Sequence, residues 1–166
     1  MKNVIKKAIL LFIIVTLTTV SAQAQSYNTG IGLRLGGLTS GLSIKHFTTG
    51  DAAIEGILSL GQNGFLITGL YEAHNPVAGA QGLKWLYGGG GHIGFFSDRG
   101  RYYYTFRGDR VYYNNASIIG VDLILGLDYK FTGAPINIGL DVKPILDFTE
   151  GTYIFFDTGL NIRYAF

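Results

Sequence analysis

Residues 119–131 alternate without a break. Ile119, Val121, Leu123, Leu125, Leu127, Tyr129 and Phe131 take every second position, with Gly120, Asp122, Ile124, Gly126, Asp128 and Lys130 between them. Successive side chains of a strand point to opposite faces, so one face is apolar and the other carries charge. Thr132-Gly133-Ala134-Pro135 turns the chain. The alternation then resumes with Ile136, Ile138, Leu140 and Val142 against Asn137, Gly139, Asp141 and Lys143. This is a β-hairpin with long arms. Which solvent each face meets is the question the rest of the chain has to answer.

The same two-residue period recurs over 28–38, 42–47, 52–60, 65–73, 83–95 and 152–166. Turn residues such as Thr39-Ser40-Gly41 and Gly61-Gln62-Asn63-Gly64 separate them. Ile57 and Ile124 fall on the polar side, as exceptions. Residues 74–81, with His74 and Pro76, read as a connecting loop, and 97–115 as a longer one. No stretch beyond the first two dozen residues has a 3.6-residue apolar period, so helix is not expected. The expectation is an all-β chain of eight strands in an antiparallel up-and-down barrel.

Residues 1–24 stand apart. Lys2, Lys6 and Lys7 precede a short apolar run over 8–20, and Ala22-Gln23-Ala24 fits a small-x-small cleavage site. The run is too short to cross a bilayer as a helix. A signal peptide is expected over 1–24 and one domain over 25–166. The leader carries three lysines and no acid, so its removal takes the formal charge from +2 to −1. Nucleic acid is therefore not an expected partner. The chain has no cysteine, which excludes disulfides and thiolate chemistry.

An eight-stranded barrel can be soluble, with its apolar face around a ligand as in lipocalins, or inside out, with that face toward lipid. Charge favours the second arrangement. The polar faces carry Arg34, Lys45, Lys84, Lys130, Lys143 and Arg163 against Glu55, Glu72, Asp122, Asp128, Asp141 and Asp157. Such balance suits a narrow enclosed lumen, because a buried charge without a partner is costly. Aromatics near strand ends, among them Phe65, Tyr71, Trp85, Phe95, Tyr129, Phe131, Tyr164 and Phe166, suit interfacial girdles. Inward glycines at 32, 36, 88, 90, 120, 126, 139 and 159 are expected to make room for the charged side chains. An eight-stranded lumen is just wide enough for its own side chains, so no open pore is expected.

Several stretches carry a family resemblance: Glu55-Gly56-Ile57-Leu58, Leu70-Tyr71-Glu72, His92-Ile93-Gly94-Phe95, Gly126-Leu127-Asp128-Tyr129-Lys130-Phe131, Asp141-Val142-Lys143-Pro144 and Arg163-Tyr164-Ala165-Phe166. They resemble the small outer-membrane β-barrels of the OmpA-transmembrane and OmpX type, in short forms found in Bacteroidota. The resemblance implies an outer-membrane location with lipid and lipopolysaccharide around the barrel. It also implies delivery to the barrel-assembly machinery through the C-terminal strand ending in Phe166. No peptidoglycan-binding domain is expected after Phe166. With both termini periplasmic, the fifth connection, 97–115, faces outside.

Candidate chemistry is sparse. Residues 89–94 match GxGxxG, but that motif needs a helix after it, and none is expected. His46, His74 and His92 lack metal-ligand spacing, and no metal or cofactor is expected. An enzymatic alternative, in the manner of lipid A deacylases, would use His92 with Ser97 and Asp98. No nucleophile signature supports it, and the chain is read as non-enzymatic. The 97–115 segment carries Arg99, Arg101, Arg107 and Arg110 with Tyr102, Tyr103 and Tyr104, residue types favoured at recognition surfaces. The alternative is that 102–106 and 111–113 simply extend the barrel strands.

Overall fold

The structure is a computed structural model that describes residues 28–61, 64–96, 101–104, 108, 110–113, 117–149 and 151–166. The expected leader and its cleavage site lie outside them. The strands in chain order are β1 (Thr29–Gly36), β2 (Gly41–Phe47), β3 (Ala52–Gly61), β4 (Gly64–Pro76), β5 (Leu83–Phe96), β6 (Arg101–Tyr104), β7 (Arg110–Tyr113), β8 (Ser117–Lys130), β9 (Ile136–Asp147) and β10 (Tyr153–Ala165). Eight of them close into an antiparallel up-and-down barrel, ordered β1-β10-β9-β8-β5-β4-β3-β2. β10 returns to β1 with Gly30 opposite Ala165 and Gly36 opposite Gly159, which leaves the sheet without an edge.

β6 and β7 form a sheet of their own within the connection between β5 and β8. The barrel ladder ends where Phe95 faces Ser117, and the small ladder starts where Arg101 faces Tyr113. Among the described residues the tyrosine-rich segment is thus a hairpin that pairs with itself; the stretches that join it to β5 and β8 lie outside them. His74 is also placed differently from the sequence expectation. β4 keeps pairing with β5 as far as Pro76 opposite Lys84, so His74 sits on a strand and faces inward, fully buried.

Burial follows the alternation, inverted relative to a water-soluble protein. Leu123, Leu125 and Leu127 are 53%, 58% and 46% exposed, whereas Asp122 and Asp128 are nearly inaccessible. The largest fully buried side chains are Arg34, Arg163, Lys45 and Lys143. Outward aromatics gather toward the two poles. Trp85 stacks on Tyr87, Tyr129 meets Phe131, and Tyr164 lies beside Phe166 at the pole holding Asn28 and the connections 48–51, 77–82 and 131–135. Phe65 and Phe95 face each other near the opposite pole. Trp85 and Phe95 lie on one strand, ten residues apart. At about 3.3 Å per residue and a tilt near 40°, that is roughly 25 Å along the barrel axis.

The interior has two apolar zones. Ile57, Leu70, Leu86 and Ile124 pack together at mid-height, so the two exceptions in the alternation find each other across β3, β4, β5 and β8. Leu66, Ile118, Ile145 and Phe155, with Phe96 and Tyr153 against them, cap the lumen toward the pole of the long connection. The inward glycines divide into two groups. A side chain at Gly159 or Gly36 would run into the Arg34 guanidinium, as expected of a glycine that makes room. One at Gly32, Gly88, Gly90 or Gly126 would strike the backbone of the next strand, so close strand approach is what requires glycine there.

Candidate functional site

The charged lumen is the one place where chemistry-bearing side chains converge among the described residues. Every barrel strand supplies it, because inward positions carry ionisable groups at matching heights.

The group nearest the Asn28 pole centres on Lys45 and Arg163. Lys45 Nζ lies 2.7 Å from Glu72, 3.2 Å from Glu55 and 3.8 Å from Asp128. Arg163 pairs with Glu55, and its Nη1 is 3.6 Å from Asp128. Ser43 donates to Glu55 at 2.6 Å and accepts from Arg163 Nε at 2.8 Å, while Arg163 also donates to Asn137 at 3.2 Å. His74 joins from the side, with Nε2 2.9 Å from Glu72 and Nδ1 3.9 Å from Asp128. The void left among Lys45, Glu55, Asp128 and Arg163 does not admit a water molecule.

A second group lies against β1, β9 and β10. Arg34 donates to Asp141 at 2.5 Å, to Asp157 at 3.0 Å and to the Thr39 carbonyl at 2.7 Å. Asp157 also accepts from the Leu38 and Thr39 N–H groups, at 2.8 and 3.2 Å, and from the Thr39 hydroxyl. One carboxylate thus caps the tight 37–40 turn and fixes the arginine beneath it. In the third group Lys143 donates to Asp122 at 3.1 Å. His92 sits between carboxylates, 2.8 Å from Asp122 and 3.8 Å from Asp147.

Ten of the twelve residues expected in a lumen network are buried and paired inside: Arg34, Lys45, Glu55, Glu72, Asp122, Asp128, Asp141, Lys143, Asp157 and Arg163. Lys84 and Lys130 do not join them. Lys84 Nζ donates to the Gly50 carbonyl at 3.0 Å, and Lys130 Nζ to the Phe131 and Ala134 carbonyls, both at 2.8 Å. Sequence reasoning missed Asp147 and His74, each on an inward position beyond the stretch assigned to its strand. The expected even balance is therefore not what is built. Among the described residues seven carboxylates face four lysines and arginines inside, with His74 and His92 each lodged between two acids.

These groups are engaged with one another. Each buried cation has a carboxylate in reach, and no group of His, Asp and Glu side chains among the described residues could hold a metal ion. His92 is enclosed with two acids, while Ser97 and Asp98 lie outside the described residues. The 89–94 glycine pattern lies within β5 and opens no helix. Of the loop candidates, Arg101, Tyr102, Tyr103 and Tyr104 are on β6 and Arg110 starts β7; Arg99 and Arg107 lie outside the described residues.

A solved structure shares this architecture. The N-terminal β-barrel domain of Pseudomonas aeruginosa OprF superposes with a TM-score of 0.54, at 16% identity, over 84% of this chain and all of that one. The shared fold is a closed eight-stranded antiparallel barrel. No protein-family model and no curated protein matches the sequence. At this identity the likeness speaks for the barrel architecture alone.

Proposed function

We propose that this chain is an outer-membrane β-barrel with a structural or surface-interaction role, non-enzymatic and without an open pore. The observation that carries the proposal is the inverted burial: a closed barrel with aliphatic side chains outside and paired charges within. In water so large an exposed apolar surface would drive association, whereas lipid makes it the favourable surface. Closure pairs every strand, as a sheet in hydrocarbon requires. The aromatic spacing of roughly 25 Å matches the apolar band of such barrels. The layer of Lys45, Arg163, Glu55 and Asp128, with the apolar cap above it, supports a blocked lumen.

A comparison of boiled and unboiled samples tests the core of this. The unboiled protein is expected to stay folded in mild SDS and to migrate differently after heating. Identical migration, with recovery in the soluble periplasmic fraction, would refute it.

In this reading both termini are periplasmic and the connection with β6 and β7 faces the cell exterior. Arg99, Arg101, Arg107 and Arg110 then meet anionic groups of lipopolysaccharide or a partner surface, with Tyr102, Tyr103 and Tyr104 as rigid contact area. The last barrel strand, β10, with Phe166 directly after it, is what the barrel-assembly machinery receives. Trypsin on intact cells is expected to cut at Arg101 or Arg107. Cutting only after the outer membrane is opened would reverse the orientation. Replacing the four arginines with glutamine is expected to weaken lipopolysaccharide binding and leave heat-modifiable migration intact.

A further inference from the structure

The mouth of the barrel at the Asn28 pole opens into a vestibule of about 1030 Å³. Its walls include His46, Phe47, Lys84 and Lys130, and Asp128 and Asn137 lie at its inner end. The Lys45–Arg163 group lies behind Asp128, so the vestibule is a dead end and not the start of a channel. Its volume reaches the upper range of small-molecule sites.

The two lysines are the unexpected feature. Lys84 lies opposite Asp128 in register, and Lys130 is two residues along the same strand. Both occupy inward positions beside an interior with more acids than bases, yet neither ammonium enters it. Lys84 reaches across to Gly50 and lies 5.3 Å over the Phe47 ring; its nearest carboxylate, Asp51, is 4.0 Å away on an exposed turn. Lys130 is held by two carbonyls of its own turn. A carbonyl orients an ammonium without cancelling its charge. An ammonium has three donors, so Lys84 keeps two and Lys130 keeps one beyond these bonds. Diagonal neighbours on paired strands stand about 7–8 Å apart at Cα, so side chains of this length meet at one oxyanion by swinging from their carbonyls on the 48–51 and 131–135 turns toward each other.

We propose that this vestibule is a binding site for a phosphate group, held between Lys84 and Lys130. The group belongs either to a soluble phosphate ester or to a lipid headgroup at the membrane surface beside the mouth. The soluble source needs only the fold described above, whereas the lipid source rests on the proposed membrane location; neither involves the long connection or its partners. Placing the two cations at the mouth also keeps them apart from Lys45 and Arg163, which already hold the interior carboxylates.

The test uses the protein in lauryldimethylamine oxide micelles, titrated with glycerol 1-phosphate and followed by amide chemical shifts. A second arm uses nanodiscs of phosphatidylcholine with and without phosphatidylglycerol. Saturable shifts at Gly82 and Thr132 are expected in at least one arm, and the arm that responds identifies the source. Lys84→Gln with Lys130→Gln is expected to weaken binding at least tenfold, and Lys84→Arg with Lys130→Arg to retain it. The unaltered protein gives a reading that needs no variant: the phosphate probe should slow acylation of Lys84 and Lys130 by an amine-reactive ester. Absence of saturable shifts in both arms, or unchanged affinity in a folded double glutamine variant, overturns the proposal. Should the glutamine variant not fold, unprotected acylation of both lysines in the unaltered protein overturns it.

Discussion

Arg163 and Glu55 form an ion pair inside the barrel although 108 positions separate them in sequence. Their strands, β10 and β3, are not neighbours; β1 and β2 stand between them. The bond therefore crosses the lumen and ties one wall to another. Arg163→Met removes a guanidinium that serves Glu55 and also reaches Asp128 and Asn137. Breaking a buried pair on one side costs about 3–5 kcal/mol. Urea unfolding followed by Trp85 fluorescence should report a loss of that size. Adding Glu55→Gln should recover part of it: without Arg163 only Lys45 is left to serve Glu55, Glu72 and Asp128, and the second change removes one of those three negative charges.

Leu123 and Asp122 test the two faces one residue apart. Leu123→Arg places a charge on the outward face; with the barrel in a membrane, as proposed, an arginine near the bilayer midplane costs about 2–4 kcal/mol. Asp122→Asn is also expected to be harmful, for a different reason: it leaves Lys143 buried beside a neutral amide. The two differ in their rescue. Lys143→Met should restore part of the stability of the Asp122→Asn variant and none of that of Leu123→Arg, measured as a double-mutant cycle in bilayers. Equal rescue would contradict the face assignment.

Asp157 holds the 37–40 turn and Arg34 together. Asp157→Ala frees two backbone N–H groups and leaves Arg34 with Asp141 as its remaining acid. The expected result is a loss of about 3–5 kcal/mol. Amide hydrogen exchange at Leu38 and Thr39 should accelerate sharply, and exchange in the β4–β5 ladder should accelerate less. Uniform acceleration would mean that the turn is not held by this carboxylate.

Thr68 gives the opposite sign. Its hydroxyl is buried in the lumen with no protein partner among the described residues. An unmet polar group costs about 1–3 kcal/mol, so Thr68→Val should leave stability unchanged or raise it by about 1 kcal/mol. A clear loss in urea unfolding would reveal a bond to that oxygen.

Alternation by itself determined that this chain makes strands, how many close the barrel, and which side chains share a face; the balance of charge chose the face that turns inward. Those facts are local: a period of two decides each face, whatever lies across the lumen. Even Ile57 and Ile124 were visible as exceptions, though not that Leu70 and Leu86 would meet them in an apolar belt. Tertiary structure alone decided the partners. Lys45 and Lys84 look alike in sequence, each on the polar face of a strand. Closure places Lys45 among Glu55, Glu72 and Asp128, whereas Lys84, at the start of its strand, turns to a carbonyl at the mouth. The same closure brings His74 and Asp147 inside, because ladder pairing continues past the points where the sequence places their turns. Which charges meet depends on the register and stagger of eight strands closed on themselves. No window of sequence contains that geometry.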